Sequence, residues 1–385
     1  MRGKKTVTKK AAYIIALACL PALLCFWSCD MGGVQPQWQV FLSGASWATP
    51  CISGGKVYTG TLNNYILCYD AATGNEIWRY ETNGGAFSSP VVVNGRLYMG
   101  SMDFNVYCLD AETGAKIWNY ETGGSIESSP AVADGHVYIG CDAEGGGNFL
   151  CLNAETGEKV WGFQADFYVV STAAVAGGYV YMGSMDNKVY CFTAATGEKV
   201  WEFETGDYIG SSPALLDGRV YVGSLDGNMY CLDARTGAQI WTFNTGGKIY
   251  ATASIANGLI YFGVTPFDNE EVWGKFYCIR AEDGTKVWEF EPEDLVRGAA
   301  AVTDNYVYFG SKDMKLYCLD ARTGEQEWYY NTGGWVYGAP SVEKGYVYVG
   351  SGSMTGAFAC IPVAEGDSGS WPMFKLNPRR TSAKP

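Results

Sequence analysis

The chain has 385 residues, of which 27 are basic (Lys or Arg) and 40 are acidic, so its formal net charge at pH 7 is −13. An acidic surface repels the phosphates of DNA and RNA, and the composition therefore argues against nucleic acid as a partner. Beyond this exclusion the charge indicates only a well-solvated surface.

The first 28 residues have the pattern of an export signal. A basic head over residues 2–10 precedes an apolar run over residues 11–24, which is too short to suggest a spanning anchor. We therefore predict a lipoprotein signal peptide over residues 1–28. An uncleaved signal anchor is the competing interpretation.

Residues 26–29 (Phe-Trp-Ser-Cys) resemble a relaxed bacterial lipobox, in which a small residue precedes the cysteine that receives the lipid. We predict lipidation at Cys29, with Cys19 and Cys25 as alternatives, and a lipid-anchored linker over residues 29–37. The protein is then expected to be exported and tethered to a membrane through this anchor. The expected location is the periplasmic face of the bacterial outer or inner membrane, or the cell surface.

From residue 38 onward the sequence is a tandem repeat. The pattern C-x-D-x-x-T-G-x-x-x-W, as in residues 108–118, returns with steps of 40, 43, 40, 40, 47 and 40 residues between its tryptophans. These are Trp78, Trp118, Trp161, Trp201, Trp241, Trp288 and Trp328. Each unit contains four short β-like runs, here named A to D from the centre outwards, with Asn-Gly or Asp-Gly hairpin signals between A and B. This period predicts the blades of a β-propeller.

The repeat resembles the tryptophan-docking motif of the PQQ-like β-propellers, a family that includes quinoprotein alcohol dehydrogenases and the outer-membrane barrel assembly lipoprotein BamB. The resemblance covers residues 38–371 and implies that each tryptophan is wedged between blades, against the glycine and the small first residue of the motif. That first residue is usually alanine in the family. Here it is Cys68, Cys108, Cys151, Cys191, Cys231, Cys278, Cys318 and Cys360.

Eight A-to-C units can be counted, and the eighth is degenerate because residues 360–366 lose the Asp and Thr of the motif. Its fourth strand could be residues 371–374 or, by closure of the ring, residues 38–41. We favour the N-terminal strand, since closure by both ends of the repeat removes an exposed sheet edge. The prediction is an all-β, eight-bladed β-propeller of four-stranded antiparallel blades over residues 38–374. A polar C-terminal tail follows over residues 375–385.

The cysteines of the repeat are predicted to be reduced thiols. With strands about 4.8 Å apart, equivalent C-strand residues of neighbouring blades lie on the order of 12 Å apart. A disulfide needs Cα atoms within about 7 Å. We therefore expect a ring of buried thiols packed on indoles, and neither disulfides nor a metal site within the ring.

Little in the sequence indicates catalysis. The single histidine, His136, adjoins a hairpin turn, and no nucleophile-base pair, zinc spacing or haem motif occurs. Four aspartates that follow the Gly-Ser of strand B are interpreted as turn residues rather than calcium ligands: Asp103, Asp186, Asp226 and Asp313. The quinoprotein dehydrogenases pair adjacent cysteines, whereas this chain has no Cys-Cys dipeptide. We predict no catalytic residue, metal or cofactor.

A candidate binding surface emerges from positions that vary among the eight copies. Just before strand A the copies read Trp47, Phe87, Glu127, Val170, Gly210, Tyr250, Arg297 and Tyr337, whereas each preceding residue is small or apolar. Alternation along a strand then points the first set to the mouth of the central channel. We select Trp47, Phe87, Glu127, Tyr250, Arg297 and Tyr337 as binding candidates for an extended peptide or a planar ligand. The alternative is a plug of the channel.

Long B-to-C connections are expected over residues 142–148, 265–274 and 351–355, all on one face, which suggests that this face meets a partner. The leading interpretation is a non-catalytic lipoprotein propeller that binds other proteins, such as outer-membrane assembly components. A PQQ-dependent oxidoreductase and a surface lipoprotein that binds a sugar or peptide remain as alternatives.

Overall fold

The computed structural model describes residues 34–267, 274–353 and 355–363. Within these residues the chain is all-β, with 33 strands and no helix. The described part accordingly offers no helical segment with the length and hydropathy to cross a bilayer. The strands form eight antiparallel blades, and the predicted eight-bladed propeller is confirmed.

The first strand, β1 (Trp38–Leu42), does not pair with the strands that come next in the sequence. Blades 1 to 4 instead use the next sixteen strands in chain order: β2 (Cys51–Ser53), β3 (Lys56–Gly60), β4 (Tyr65–Asp70), β5 (Glu76–Glu81); β6 (Val91–Val93), β7 (Arg96–Gly100), β8 (Asn105–Asp110), β9 (Lys116–Glu121); β10 (Ala131–Ala133), β11 (His136–Ala143), β12 (Gly146–Asn153), β13 (Lys159–Ala165); β14 (Ala174–Ala176), β15 (Tyr179–Gly183), β16 (Lys188–Thr193), β17 (Lys199–Glu204).

Blades 5 to 8 repeat this order, apart from an additional short strand, β22, in blade 6. Their strands are β18 (Ala214–Leu216), β19 (Arg219–Gly223), β20 (Asn228–Asp233), β21 (Gln239–Asn244); β22 (Gly247–Lys248), β23 (Ser254–Ala256), β24 (Leu259–Pro266), β25 (Lys275–Arg280), β26 (Lys286–Phe290); β27 (Ala301–Val302), β28 (Tyr306–Gly310), β29 (Lys315–Asp320), β30 (Gln326–Asn331); β31 (Ser341–Glu343), β32 (Tyr346–Gly352), β33 (Gly356–Pro362).

Blade 8 is completed by β1. This strand pairs with β33 so that Trp38 lies opposite Cys360 and Leu42 lies opposite Gly356. The N-terminal strand therefore takes the fourth position of the last blade, the closure favoured from the sequence. The other candidate for that position, residues 371–374, lies outside the described residues.

The turns show why the motif residues are needed. In blade 2 the A-to-B hairpin places Asn94 and Gly95 at φ 52° and 74°, the left-handed region that Asn and Gly tolerate best. In the turn from β8 to β9, Asp110 Oδ1 accepts hydrogen bonds from the backbone N–H and the hydroxyl of Thr113, both at 2.8 Å. These bonds hold the pKa of Asp110 below its usual value. The motif Asp and Thr thus close the turn that sends the chain into the outer strand.

The tryptophans of the motif link each blade to the next. In the turn after β8, a Cβ added to Gly114 would lie 2.7 Å from Trp78 Cδ2, so the indole covers this glycine. The indole nitrogen also donates to an alanine carbonyl in the adjoining blade at 2.9 to 3.2 Å. The pairs are Trp38–Ala71, Trp78–Ala111, Trp118–Ala154, Trp161–Ala194, Trp201–Ala234, Trp241–Ala281 and Trp288–Ala321. Trp328 packs on Tyr308, with ring centroids 5.8 Å apart.

Each of these seven alanine carbonyls also accepts a second hydrogen bond, which comes from a tyrosine on strand B. Tyr58 and Trp78 of blade 1 both donate to Ala111 O, at 3.1 Å each. The motif Cys68 is completely buried beside them. The hydrophobic core consequently lies between neighbouring blades rather than at the axis.

A second set of bonds joins the inner strands around the channel. The backbone N–H of one blade donates to the hydroxyl of the equivalent Ser or Thr in the next, as from Thr49 to Ser89 and from Ser89 to Ser129, each at 2.9 Å. Ala339 N of blade 8 donates to Thr49 Oγ1 of blade 1 at 3.1 Å, whereas Ala299 and Ala339 themselves offer no hydroxyl to blades 6 and 7. Blade 8 is thus joined to blade 1 both at the axis and at the periphery.

Candidate functional site

In the segment just before each strand A, here called the approach segment, successive side chains point in turn to the contact between blades and to the channel mouth. The wedge residues Ser46, Ala86, Ile126, Val169, Ile209, Ile249, Val296 and Val336 are all at most 1% exposed. A Cβ added to Gly100 of blade 2 would clash with Ile126 Cγ2 of blade 3, which shows how tightly the wedge fits. The residues after the wedges are all partly or fully exposed. Their side chains therefore face away from the packed interfaces between blades.

Five of the six selected mouth residues form a chain of contacts across five consecutive blades. Arg297 stacks on Tyr250 and Tyr337, with its guanidinium carbon 4.9 and 5.8 Å from the ring centroids. Trp47 meets the rings of Tyr337 and Phe87 edge-on at 4.8 and 5.5 Å. Such contacts hold large, rigid surfaces in fixed orientations. We name Tyr250, Arg297, Tyr337, Trp47 and Phe87 the aromatic arc.

The remaining mouth positions lie in blades 3 to 5. Glu127 is exposed, Val170 is partly exposed, and a Cβ at Gly210 would lie 3.5 Å from Tyr250 Cδ1. The arc therefore spans blades 6, 7, 8, 1 and 2, while the side of the mouth at blades 3 to 5 carries no aromatic side chain at this position.

A second carboxyl group, Asp142, lies near Glu127 in blade 3. Its backbone N–H donates to Ser125 O at 2.9 Å, which fixes it beside the approach segment. Burial, and secondarily the Glu127 charge, raise the pKa of Asp142 from its usual 3.8 to about 6. Asp142 Oδ1 and Ser125 Oγ are both buried without a hydrogen-bond partner among the described residues. We name Glu127, Asp142 and Ser125 the acidic corner.

A second cation lies in blade 7. Lys312 Nζ lies 4.9 Å from the ring centroid of Trp335, and Lys312 N donates to Leu295 O at 2.9 Å. The ring centroids of Trp335 and Tyr337 are 6.0 Å apart, so Lys312 and Trp335 lie next to the aromatic arc.

Sequence reasoning missed Asp142, Lys312 and Trp335. Asp142 and Lys312 occupy the same place, two residues after the final glycine of strand B, where other blades have apolar residues such as Met102 and Leu225. Comparison of the eight copies at this place would have revealed both charges.

The four repeat aspartates have the turn role that the sequence predicts. Asp103 Oδ2 accepts hydrogen bonds from Tyr107 OH at 2.7 Å and from Asn83 N at 2.8 Å. The same pair of donors, a tyrosine hydroxyl and a backbone N–H of the incoming connection, recurs at Asp186, Asp226 and Asp313. No group of three His, Cys, Asp or Glu side chains in the described ranges is arranged to hold a metal ion.

The long B-to-C connections differ from expectation. Residues 142–148 and 351–355 were expected to form loops, but β11 continues to Ala143 before pairing with β12 from Gly146, and β32 continues to Gly352. In blade 6, β24 continues to Pro266, where β22 pairs with it. The additional residues thus lengthen hairpins, because their backbone groups find partners across the strand pair. Residues 268–273 lie outside the described ranges.

The ten cysteines of the described residues are all buried thiols. Burial raises the pKa of Cys68 and Cys108 to about 12, so these thiols stay protonated at neutral pH. Protonated, buried thiols are poor nucleophiles and poor metal ligands. His136 opens β11 beside its hairpin turn and is partly exposed.

Exposed apolar side chains lie on the outer strands and on the face that carries the B-to-C and D-to-A connections, here called the upper face. Large exposed hydrophobic residues there are Met102, Phe104, Tyr168, Tyr208, Phe267 and Met314, and the others in the described ranges lie on outer strands. Phe104 and Met314 hold φ angles of 72° and 69°, at a turn position where other blades have Asn64, Asn187 or Gly227. A bulky residue in this conformation costs free energy, which points to a function for its exposed side chain.

Replacing Asp142 by Asn is expected to raise the free energy of unfolding at pH 7 by about 1 kcal/mol, after allowance for solvent screening of a half-buried carboxylate. Because folding raises the pKa of Asp142, the folded state favours the protonated acid. Asp142 therefore lowers stability as the pH rises from about 4 to about 6, and the gain of the variant should vanish below pH 4. Denaturant unfolding at pH 7 and pH 4 measures both values.

Asp103→Ala is the matched control in the neighbouring blade. It removes an acceptor of several hydrogen bonds and should lower the free energy of unfolding at pH 7 by about 1–3 kcal/mol. An Asp142→Asn variant that is destabilised at pH 7, or equally stabilised at both pH values, would contradict the environment described for Asp142.

The fold and the mouth together define a class: a tryptophan-docked propeller of eight blades, with an aromatic arc and an acidic corner at the axis. A family model described as outer membrane protein assembly factor BamB matches residues 27–125, 90–184, 147–273 and 272–367. The chain therefore belongs to this family of PQQ-like propellers.

Solved structures with this fold include two dehydrogenases and BamB. Quinohemoprotein alcohol dehydrogenase from Comamonas testosteroni superposes with a TM-score of 0.75 at 17% identity, over 88% of this chain and 78% of that chain. BamB from Moraxella catarrhalis superposes with a TM-score of 0.71 at 16% identity, over 86% and 100%. A europium-containing methanol dehydrogenase gives 0.74 at 14% identity, over 86% and 93%. No curated protein matches the sequence significantly. At these identities the structural likeness concerns the fold.

Proposed function

We propose that this protein is a non-catalytic, extracytoplasmic lipoprotein that binds other proteins through its upper face, in the manner of an outer-membrane assembly factor. The observation that carries the proposal is the pair Phe104 and Met314, 46% and 43% exposed in left-handed turns. Exposed apolar residues that also cost conformational energy are typical of a surface covered by a partner.

Membership of the family supports the same proposal. The family model is described as BamB. The superposition with the Moraxella catarrhalis BamB structure covers 100% of that chain, and the blades of the present protein are short. Lipidation at Cys29 and export remain predictions from the sequence, and tethering near a membrane would bring the upper face to membrane-bound partners.

A PQQ-dependent oxidoreductase is the second candidate, and the aromatic arc favours it because a planar anion can stack there beside Arg297. The rest of the mouth does not fit. PQQ is a tricarboxylate, and the acidic corner turns Glu127 and Asp142 toward the same opening, where like charges repel. A surface lipoprotein that binds a sugar or peptide stays as the third candidate.

Changing Phe104 and Met314 together to Asn is expected to abolish capture of partners while raising the free energy of unfolding by about 1 kcal/mol, since Asn tolerates the left-handed turn better. The tagged full chain is purified from detergent-solubilised membranes, and its co-purifying proteins are identified by mass spectrometry. The proposal predicts outer-membrane assembly components with the wild type.

Ile117→Asn is the control, because Ile117 is 43% exposed on the outer strand β9, away from the upper face. It should retain the partners. Recovery of no assembly component with the wild type, or equal recovery with the double variant, would refute the proposed role. Quinone absorbance that persists in the protein after reconstitution with PQQ and calcium would support the enzyme instead.

A further inference from the structure

The charged side chains of the channel mouth are separated by sign. Glu127 and Asp142 belong to blade 3, and Arg297 and Lys312 belong to the connection into blade 7 and to blade 7 itself. In a ring of eight blades, the third and seventh are four positions apart and therefore face each other across the axis. The mouth thus has an anionic side and a cationic side.

None of these charges is neutralised by a neighbour among the described residues. The cations Arg297 and Lys312 rest on aromatic rings, and the described ion pairs involve other side chains. Cations stacked on rings keep their N–H groups available at the ring edges, where a carboxylate can accept them.

The acidic corner lacks hydrogen-bond partners as well as opposite charges. Asp142 Oδ1 and Ser125 Oγ are two buried oxygen atoms without a hydrogen-bond donor in the described structure, and Glu127 adds a further negative charge nearby. Buried polar atoms in folded proteins nearly always have partners, so these two leave the corner short of donors. The partly exposed Asp142 and the exposed Glu127 offer carboxylate groups to a donor that arrives from outside. An ammonium or guanidinium group supplies several donors and the matching charge.

The surface between the two sides is the aromatic arc. Trp47 and Phe87 lie in blades 1 and 2, between the cations of blade 7 and the acids of blade 3. A ligand that reaches both sides must therefore cross rigid rings, which suit the peptide groups and apolar side chains of an extended chain.

We propose that the channel mouth binds an extended peptide segment, with a basic side chain at Glu127, Asp142 and Ser125, an acidic group at Arg297 and Lys312, and the intervening residues on Trp47 and Phe87. This inference rests on the proposed function only in taking the peptide as part of a protein partner. It names the chemistry by which the upper face selects that partner.

The test uses the intact protein and the synthetic peptide Lys-Ala-Phe-Ala-Glu, blocked at both ends, with binding followed by calorimetry. Longer peptides with added alanines between the charges identify the span that fits. Replacing the lysine by norleucine, or the glutamate by glutamine, is expected to weaken binding at least tenfold in each case.

The protein variants assign each charge to its side. Combined Glu127→Gln and Asp142→Asn should remove the preference for lysine over norleucine and keep the preference for glutamate. Arg297→Gln should do the reverse. Glu155→Gln, at an exposed site in the turn on the opposite face, removes one negative charge away from the mouth and should alter neither preference.

Binding that ignores the peptide charges, or that responds equally to Glu155→Gln, would overturn the inference, as would failure of every peptide in the series to bind. The two proposals fail separately. Assembly components that co-purify equally with the wild type and the mouth variants would leave the scaffold role intact and refute the mouth as its selector. Charge-selective peptide binding without assembly components would do the opposite.

Discussion

Gly114→Ala is expected to lower the free energy of unfolding by about 2–5 kcal/mol. Gly114 has a φ of 72°, and an added Cβ would lie 2.7 Å from Trp78 Cδ2. The left-handed backbone costs an alanine about 1–2 kcal/mol, and overpacking against the indole costs about 1–3 kcal/mol more. The clash also pushes Trp78 away from Ala111 O, which lies 3.1 Å from the indole nitrogen. Urea unfolding followed by tryptophan fluorescence measures the loss.

Gly95→Ala separates the two costs within the same blade. Gly95 has nearly the same φ, 74°, yet nothing lies within 4 Å of the Cβ that alanine would add. It should therefore lose only the backbone part, about 1–2 kcal/mol. Equal losses for the two variants would mean that tryptophan docking does not constrain the motif glycine.

Trp38→Ala is expected to lower the free energy of unfolding by about 3 kcal/mol, a large effect for a partly exposed residue. Trp38 covers Gly74 of blade 1 and donates to Ala71 O at 3.0 Å, so its removal weakens the junction that closes the ring. The ring also packs on Tyr348 and Phe358 of blade 8. Denaturant unfolding gives the stability, and limited proteolysis reports opening at the junction.

Trp38→Phe retains an aromatic ring over Gly74 and removes only the indole N–H, so about 1–2 kcal/mol should be lost. Gln39→Ala, on the same strand with an exposed side chain, should change stability by less than about 0.5 kcal/mol. If Trp38→Ala were as mild as Gln39→Ala, β1 would not be what seals the propeller.

The repeat allowed most of the fold to be predicted. The tryptophan spacing determined the number of blades, and the need to cover an exposed sheet edge favoured residues 38–41 as the fourth strand of blade 8. The hairpin extensions in blades 3 and 8 were missed because Gly145, Gly146 and Gly352 looked like loop residues. In the structure Gly146 pairs with Ala143 inside the ladder, since its neighbours on the partner strand supply the hydrogen bonds.

The sequence predicted which side chains of the candidate site point to the channel mouth, but not the contacts that they make there. Alternation correctly separated the buried wedge Ile126 from the exposed Glu127, because a strand turns successive side chains to opposite sides. That Arg297 lies between Tyr250 and Tyr337 depends on the distance between blades, which no sequence pattern contains. Asp142 lies in the same blade as Glu127, and the two come together only because the A-to-B hairpin returns β11 past the segment that precedes β10.

Closure by β1 has a consequence for the order in which the molecule is made. Trp38 emerges early in synthesis, whereas its partner Cys360 emerges more than three hundred residues later. Until then the inner blades can fold pairwise from local contacts, but β1 has no strand to join and the ring stays open. The last contact formed therefore requires the first strand and the last blade at once. A chain that stops short of blade 8 cannot pair β1 with β33, and an unpaired strand edge of this kind favours aggregation and proteolysis.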